Sequence, residues 1–408
     1  MNTDAPVVIV GASVAGVRTA QSLRRLMPDQ TIVLIDPDRD APYDKPPLSK
    51  EYLKIGSESV KLDLIGPEGL DVELRTGVAA VGLDAVAQLV QLCDGSTIPY
   101  STVVIATGSA PRPFPWRGDG TIRTLEDAER VRAALDAGGP LVVVGAGVIG
   151  MEVAATARSR NVDVTVVDVM PTPLLRMAGE HVGGIVRAAH ESHGVTFALG
   201  SSVAEVSGGP GEWQVVLDDD RVLEAAVLLV GTGVSPKTEW LQDSQILLDD
   251  GVLCDDYCRA ITDEAPTGLP SVYAVGDVSR PRRDGVHQRL ENWTNAAEQA
   301  AVVAHNIADP ASRRTYQPVE YCWSDQYDLQ LQVVGRPVGA PARSLSEGDR
   351  TAVVYENSGI VSAVVTLRWP RAAMAARRAL IKKTAVDEFV ESKVFQNSTY
   401  AEAATLRS

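Results

Sequence analysis

Cysteine is scarce in this sequence of 408 residues and never occurs as a CxxC pair. Cys93, Cys254, Cys258 and Cys322 are scattered, and only Cys254 and Cys258 lie close together. Neither a histidine nor a second cysteine pair lies nearby to complete a metal site, so we expect two ordinary thiols at the edge of a strand. The pattern excludes a disulfide framework and favours a reducing compartment, so the sequence predicts a cytoplasmic protein without a metal site.

Basic residues are outnumbered by acidic ones, and long apolar runs are missing. The 38 lysines and arginines stand against 53 aspartates and glutamates, which gives a formal net charge of −15. This balance excludes a general affinity for nucleic acid or for an anionic membrane. The opening "MNTDAPVVIV" has neither the basic nor the long apolar region of a secretory signal. Because no apolar run reaches the ~18 residues of a membrane span, we expect no membrane insertion.

The first recognisable unit is a strand, a glycine turn, a helix and a second strand. An apolar run leads into "GASVAGVRTAQSLRRL", whose apolar residues recur at helical spacing, and "TIVLID" then closes on Asp36. Gly11-x-Ser13-x-x-Gly16 departs from the dinucleotide fingerprint, since serine replaces the second glycine. We assign Gly11, Ser13, Ala15 and Gly16 to a dinucleotide and Asp36 to its ribose; a plain strand–helix turn is the alternative.

The same pattern recurs 134 residues later in a stronger form, "LVVVGAGVIGMEVAATARSR" followed by "DVTVVD". Its helix N-terminus supplies backbone N–H groups and partial positive charge for a diphosphate. The acid at the end of the next strand is expected to bind a ribose 2′-OH and repel a 2′-phosphate, so NADH is preferred over NADPH. The residues assigned to this site are Gly145, Gly147, Ile149, Gly150 and Asp168.

Each nucleotide unit has a matching closing strand. "STVVIATGSAPR" runs into Thr107 and Gly108, and "AAVLLVGTGVSPK" runs into Thr232 and Gly233. One further strand, "SVYAVGDVS", ends at Gly276–Asp277 and precedes a predicted helix over about 292–306. This order is best explained by insertion of the second nucleotide fold into the first.

The sequence therefore predicts an α/β protein with two Rossmann-like dinucleotide-binding domains and a C-terminal α+β interface domain. From about residue 315 the pattern changes to strands such as "YCWSDQYDLQLQVVG", followed by a basic helical segment, "RAAMAARRALIKK". The predicted segments are 1–112 and 247–314 for an FAD-binding domain, 113–246 for an NAD-binding domain and 315–408 for the interface domain.

Two dinucleotide sites in one chain predict an electron relay in which a bound flavin, FAD, receives hydride from NADH. The stiff segment "APYDKPPLSK" follows the first acid, so it is expected to run along the flavin cofactor. Lys50 would then need a partner if buried, and Glu152, two residues past Gly150, is the obvious one. The alternative is that both side chains lie on solvated helix faces.

Six segments in order along the chain form a recognisable set: "KPPLSK" (45–50), "ATGSAPR" (106–112), "GAGVIGMEVA" (145–154), "VYAVGDV" (272–278), "ENWTNAAEQ" (291–299) and "CWSDQYDLQLQVVG" (322–335). They span nearly the whole chain, and "PPLSK" together with "WSDQYDLQLQ" is highly specific. With them the sequence resembles the oxygenase-coupled NADH-dependent ferredoxin reductases, the putidaredoxin, rubredoxin and biphenyl dioxygenase reductase group within the glutathione-reductase-like flavoproteins.

The resemblance implies roles for individual residues. Asp277 would bond the ribityl chain of FAD, and Lys50 and Glu152 would pair near the flavin N5. Arg112 with the Thr107–Gly108 turn would line the FAD path. Trp293 and Ala297 would approach the pyrimidine end of the flavin ring, and Trp323 would shield the edge where electrons leave. The remaining cofactor contacts are Lys45, Pro46, Gly233 and Gly276.

Two positions depart from the family pattern. Asp168 stands where glutamate is frequent, which shortens the reach to the ribose. Lys45 stands where arginine is common, and lysine lacks the planar fork of a bidentate or stacked contact.

The resemblance implies a reductase that passes electrons from NADH through FAD to a small acidic iron–sulfur ferredoxin, which supplies a cytochrome P450 or a ring-hydroxylating dioxygenase. A local basic patch would dock this partner, with Arg282 and Arg283 among the candidates. A flavin disulfide reductase or NADH oxidase is the nearest alternative, but positions 37–60 hold no cysteine to face the flavin. A signalling flavoprotein of the apoptosis-inducing-factor type is a second alternative. It would need a targeting presequence and a basic surface, and the sequence indicates neither, so we disfavour it.

Overall fold

The computed structural model describes residues 5–56, 64, 70–116 and 118–402. The chain forms two compact units, each built from three separate segments. Within the described ranges, no helix is both long and apolar enough to cross a membrane. The first unit is Met1–Lys45, Leu62–Ala110 and Val234–Pro318, and the second is Pro46–Lys61, Pro111–Gly233 and Val319–Ser408.

The first unit is centred on a five-stranded sheet in which every neighbouring pair is parallel. The central strands read as unbroken runs of valine and isoleucine because both faces are covered, as is usual for a parallel sheet. In spatial order the strands are Val272–Ala274, Thr102–Ile105, Val7–Val10, Ile32–Asp36 and Glu73–Thr76.

Two helices, Val14–Leu26 and Trp293–Ala308, pack against each other and share one apolar core with this sheet. The second of them, called here the return helix, was predicted over about 292–306. Its N-cap is Asn292, whose side chain accepts a hydrogen bond from the Asn295 N–H at 2.7 Å. The asparagine at the predicted start therefore caps the helix rather than forming its first residue.

Smaller sheets complete the first unit. A second apolar cluster, which includes Val103, Val90 and Val252, contains residues of the parallel sheet and of two of these smaller sheets. The strands are an antiparallel meander of Ala80–Asp84, Leu89–Leu92 and Thr97–Pro99, a sheet of Val252–Cys254, Ser279–Arg283 and Val286–His287, and a pair formed by Val234–Pro236 with Ser109–Pro111. Short 3₁₀ turns lie at Glu239–Leu241 and Gly276–Val278.

The second unit repeats the nucleotide fold with a four-stranded parallel sheet. Thr124 begins its first helix with a capping box, in which its side chain and that of Asp127 each accept from the other's backbone N–H. In spatial order the strands of this sheet are Val195–Leu199, Val164–Asp168, Leu141–Val144 and Val227–Val230. The helices are Leu125–Ala137, Val148–Ser159 and Leu175–Ser192. A separate antiparallel meander consists of Val203–Ser207, Trp213–Leu217 and Val222–Ala225.

The rest of the second unit is a six-stranded antiparallel sheet covered by helices. Trp369, Phe389 and Phe395 pack edge to face in the core between them. The strands in order are Tyr321–Gln326, Leu329–Gly335, Ile360–Leu367, Arg350–Asn357, Arg343–Glu347 and Thr399–Glu402; the helical segments are Pro370–Lys382, Val386–Val390 and Lys393–Phe395. The same unit contains the turn Pro46–Ser49 and the short helix Glu51–Ile55.

The predicted fold class is confirmed. Both glycine turns connect a buried parallel strand to a helix, and in the C-terminal part five antiparallel strands are followed by helices and a last edge strand. The three domain boundaries drawn from the sequence stay a prediction.

Candidate functional site

The first glycine turn is built so that two of its positions accept only glycine. Gly11 has a φ of +113°, and a Cβ on it would collide with the carbonyl oxygen of Ala106. A Cβ on Gly16 would collide with the carbonyl oxygen of Gly11. Ser13 occupies the N-cap, and its side chain makes no capping hydrogen bond. Ala15, two residues further on, is buried against Gly276.

The second glycine turn repeats this construction in the other unit. Gly145 has a φ of +111° and lies against the carbonyl oxygen of Gly231, while Gly150 lies against that of Gly145. Gly147 differs, because a Cβ there would meet no atom within 4 Å. Its missing side chain therefore leaves open space at the N-terminus of a twelve-residue helix that contains Ile149. This is the shape a diphosphate requires, so the residues present fit a dinucleotide.

Both fingerprint acids accept hydrogen bonds from their own glycine turns. Asp36 Oδ2 lies 2.5 Å from the Ala12 N–H, and Asp168 Oδ2 lies 2.6 Å from the Ala146 N–H. The second oxygen of each carboxylate accepts from a backbone N–H two residues further along the chain, at 2.8 and 2.7 Å respectively. Sequence reasoning anticipated a ribose contact but missed this internal one. Each oxygen keeps further acceptor capacity, so a ribose contact remains compatible.

Part of the "APYDKPPLSK" segment is fixed to the start of the return helix. Trp293 Nε1 donates to Asp44 Oδ1 at 2.7 Å, and the Arg18 guanidinium lies 5.7 Å from the Trp293 ring centroid. Lys45 lies 4.7 Å above the ring of Tyr43, its neighbour in the segment. A tryptophan predicted to face the flavin thus also anchors the polar stretch that follows Asp36.

Two turns at the carboxyl ends of adjacent strands meet at Asp277. Ser109 Oγ donates to Asp277 Oδ2 at 2.9 Å. Beside Ser109, Thr107 Oγ1 donates to the Lys237 carbonyl at 2.8 Å, and the Gly108 carbonyl accepts from the Lys237 N–H at 3.0 Å. The structure therefore brings together three segments that the sequence predicted separately.

Gln299 holds the turn that carries Asp277. Its Oε1 accepts from the Gly276 N–H at 2.8 Å and from Ser279 Oγ at 2.9 Å, and it is fully buried. Gly276 has a φ of +77°, in the left-handed region that favours glycine. Sequence reasoning did not assign Gln299, although it ends the quoted segment "ENWTNAAEQ".

In the second unit, Arg112 and Gly233 are neighbours. The Arg112 N–H donates to the Gly233 carbonyl at 2.9 Å, and its guanidinium borders the face where a Gly233 side chain would project. Gly233 has a φ of +100°, which a residue with a side chain rarely adopts.

Lys50 and Glu152 form a nearly buried ion pair. Lys50 Nζ lies 2.8 Å from Glu152 Oε2, and the two side chains are 12% and 3% exposed. Lys50 follows the turn that starts at Pro46, to whose carbonyl it also donates at 2.9 Å. Glu152 lies one helical turn past Gly147. The predicted contact is present, and the alternative of two solvated helix faces is wrong.

Two buried serines complete the surroundings of the Glu152 carboxylate. Ser49 Oγ donates to Oε2 at 2.5 Å, and Ser324 Oγ donates to Oε1 at 2.7 Å. With Lys50, three donors therefore offset the cost of burying this charge. Trp323 precedes Ser324 on the same strand, so its ring lies on the opposite face, where it stacks near Tyr321 at 6.3 Å. Neither serine was assigned from the sequence, although both lie in quoted motifs.

Burial shifts the pKa of three further groups, one in the second unit and two in the first. Burial raises the pKa of the Asp325 carboxyl, and the positive charge of Lys50 opposes that rise. Burial also raises the pKa of the Cys258 thiol to about 12 and raises that of Cys254. Both cysteines are fully buried and stay protonated at neutral pH, so they are poor nucleophiles.

Known proteins resemble this sequence over nearly the whole chain. Residues 5–300 match the family model described as pyridine nucleotide-disulphide oxidoreductase, and residues 321–391 match the reductase C-terminal model. The ferredoxin–NAD(+) reductase component of the anthranilate 1,2-dioxygenase system of Burkholderia cepacia is 36% identical, over 84% of this chain and 85% of that protein. Putidaredoxin reductase CamA of Pseudomonas putida is 32% identical, over 91% of this chain and 90% of that protein.

A solved structure has the same fold. The crystal structure of the covalent putidaredoxin reductase–putidaredoxin complex contains a chain that is 28% identical and superimposes with a TM-score of 0.87. The match covers 96% of this chain and 97% of that one.

Proposed function

We propose that this chain, which belongs to the pyridine nucleotide-disulphide oxidoreductase family, is an FAD-dependent NADH–ferredoxin reductase. It takes electrons from NADH and delivers them to a small acidic iron–sulfur ferredoxin, which supplies a cytochrome P450 or a ring-hydroxylating dioxygenase. Relatives named as ferredoxin–NAD(+) reductase components of dioxygenase systems, and one named as a putidaredoxin reductase, support this proposal. The observation that carries it is the presence of two dinucleotide turns together with a buried Lys50–Glu152 pair.

FAD is assigned to the first unit. Its diphosphate would lie at the Gly11–Gly16 turn, where the helix N-terminus offers backbone N–H groups and partial positive charge. Asp36 would bind the ribose, and Asp277, fixed by Ser109, the ribityl chain. When bound, FAD supplies the chemistry that accepts a hydride and releases electrons singly. The residues proposed to line the rest of the cofactor are Lys45, Pro46, Thr107, Gly108, Arg112, Gly276, Trp293, Ala297 and Trp323.

NAD is assigned to the glycine turn of the second unit. The open space at Gly147 admits the diphosphate, while Gly145 and Gly150 keep the backbone close-packed. Asp168 would accept from a ribose 2′-OH, and its negative charge would repel a 2′-phosphate. NADH is therefore the proposed donor, and Gly233 and Ile149 are placed along its path.

The Lys50–Glu152 pair is assigned to the flavin. Glu152 holds the ammonium of Lys50 in one position, and the near-complete burial of both keeps water from screening that charge. An oriented positive charge at the reacting end of a flavin favours the electron-rich, reduced ring over the oxidised one. This role requires neither residue to act as an acid or a base.

The partner surface and location complete the proposal. Because the chain carries a net charge of −15, an acidic ferredoxin needs a local basic surface, and Arg282 and Arg283 are assigned to it. Arg282 is 45% exposed and pairs with Asp256 at 3.0 Å.

Four unpaired thiols suit a reducing compartment, so we place the protein in the cytoplasm.

A disulfide reductase is disfavoured, although the family name includes that activity. Positions 37–60 contain no cysteine, and Cys254 and Cys258 are fully buried with raised thiol pKa values. No reactive thiol is thus supplied from the segment that follows Asp36.

The activity is tested by cytochrome c reduction with NADH, with and without an added ferredoxin. A reductase gives strong stimulation by the ferredoxin, and NADPH in place of NADH gives a much lower rate. Equal rates with and without ferredoxin would contradict the proposal.

A further inference from the structure

A chain of buried hydrogen bonds continues from Glu152 into the C-terminal sheet. Ser324 Oγ, which donates to Glu152, accepts from Gln326 Nε2 at 2.9 Å. Gln326 Oε1 lies 2.9 Å from His190 Nε2, and the Tyr327 hydroxyl lies 3.3 Å from His190 Nδ1. Ser324 and His190 are fully buried, and Gln326 is 1% exposed. All of these residues belong to the second unit.

The ionised carboxylate fixes the direction of every bond in this chain. A carboxylate only accepts, so the single Ser324 proton points to Glu152 and the serine oxygen must accept from the Gln326 NH₂. The Gln326 carbonyl oxygen then faces His190 and requires a proton on Nε2. His190 is thereby a neutral Nε2–H tautomer, whose Nδ1 lone pair accepts from the Tyr327 hydroxyl.

Burial keeps His190 in that neutral form. Burial lowers the pKa of His190 to about 4, and its contact with Gln326 only partly opposes the shift. Burial also raises the pKa of the Tyr327 phenol to about 12, so the tyrosine keeps its proton to donate. Every donor in the chain therefore points towards Glu152 at neutral pH.

We propose that Gln326 and His190 are positioning residues that act through Ser324 to hold Glu152 as an oriented carboxylate beneath the Lys50 ammonium. This inference rests on the proposed role of the Lys50–Glu152 pair at the flavin. If the donors of the chain are lost, the buried charge of Glu152 keeps fewer hydrogen-bond partners and the carboxylate is less firmly oriented. The ammonium of Lys50 then loses its fixed counterion.

The position of the proton on His190 in the unsubstituted protein tests the proposed direction of the hydrogen bonds. Nitrogen-15 NMR of the FAD-loaded protein, with the signal assigned by its loss in His190→Gln, distinguishes the two tautomers. We expect a neutral ring protonated on Nε2 at pH 7. A ring protonated on Nδ1, or on both nitrogens, overturns the proposal.

Substitutions of Gln326 and His190 test whether these residues influence Glu152 and the rate of flavin reduction. Gln326→Leu and His190→Leu are expected to slow flavin reduction by NADH about tenfold, the loss typical of one hydrogen bond in a network around a buried charge. They should also shift the infrared carboxylate bands of Glu152, identified by difference against Glu152→Gln, because those bands respond to the loss of a hydrogen bond. His190→Gln keeps an amide donor at the position of Nε2 and should restore most of the rate.

Gln332→Leu is the matched control. Gln332 lies on the strand next to that of Gln326 and donates to the Tyr321 hydroxyl at 2.8 Å, so it takes no part in the hydrogen bonds that lead to Glu152. Equal rates and an unshifted Glu152 signal in Gln326→Leu and Gln332→Leu overturn the positioning role. A normal rate in Glu152→Gln would instead refute the proposed function of the ion pair. A slow Glu152→Gln beside a normal Gln326→Leu would refute only the positioning role.

Discussion

Lys50 Nζ lies 2.8 Å from Glu152 Oε2, although 102 residues separate the two in the sequence. The lysine follows a proline-rich turn, and the glutamate lies on the helix that begins at a glycine turn. A buried cation and anion at this distance are held by the fold rather than by chance, because each needs the other to stay charged out of water. The pair is therefore the centre of the proposed function.

Removing the Lys50 charge should slow flavin reduction. Lys50→Met keeps the length of the side chain but loses the ammonium, and we expect a decrease of about 10- to 100-fold in the rate of flavin reduction by NADH. FAD should remain bound. Stopped-flow absorbance measures the rate, and Lys54→Met is the control because Lys54 is exposed on the short helix that follows Lys50. An unchanged rate in Lys50→Met would remove the lysine from the mechanism.

Asp168 should determine the choice between nicotinamide cofactors. Asp168→Asn removes the charge that repels a 2′-phosphate, so the ratio of kcat/KM for NADH to that for NADPH should fall about tenfold. Asp36→Asn is the matched control, because Asp36 makes the equivalent contact with its own turn. That control should weaken FAD binding and leave the ratio unchanged. If both variants alter the ratio equally, the assignment of the two turns is wrong.

The hydrogen bond between Trp293 and Asp44 should contribute to FAD retention. Trp293→Phe keeps an aromatic ring but leaves Asp44 Oδ1 without its 2.7 Å donor, and we expect FAD affinity to fall about fivefold to tenfold. Fluorescence of released flavin measures the affinity. Trp240→Phe is the control, since Trp240 Nε1 has no hydrogen-bond partner among the described residues. Equal losses in the two variants would exclude a specific role for the bond.

Charge reversal at Arg282 and Arg283 should slow docking of the ferredoxin. We expect the double change to glutamate to reduce the association rate about tenfold at low salt and to weaken its salt dependence. Reduction of ferricyanide by NADH should not change. Arg187 and Arg221, which are 46% and 48% exposed and paired with acids, serve as a control for the same change in net charge. Parallel losses with ferredoxin and ferricyanide would contradict local docking.

The sequence predicted the parts of the fold that local patterns determine. Glycines at positions 11, 16, 145 and 150 could be assigned because each turn needs them for backbone contacts close in sequence or on the adjacent strand. The Lys50–Glu152 contact was inferred from the positions of both residues relative to those turns. These inferences depend on spacing, which a single sequence displays.

The missed contacts depend on side chains that meet only after the sheets have formed. Ser324 lies 172 residues from Glu152, and nothing in the composition of its strand marks the serine as a donor to that carboxylate. His190 and Gln326 are 136 residues apart and read as ordinary members of a helix and a strand. Strand alternation places Ser324 and Gln326 on one face, but nothing in the sequence shows that this polar face is the buried one.

The most direct test of the account is an anaerobic titration of the purified protein with NADH, followed by absorbance. The account predicts a yellow protein with the spectrum of bound FAD, bleached by about one equivalent of NADH per flavin and recoloured when oxidised ferredoxin is added. A colourless protein, or a yellow one that NADH does not bleach, would contradict it.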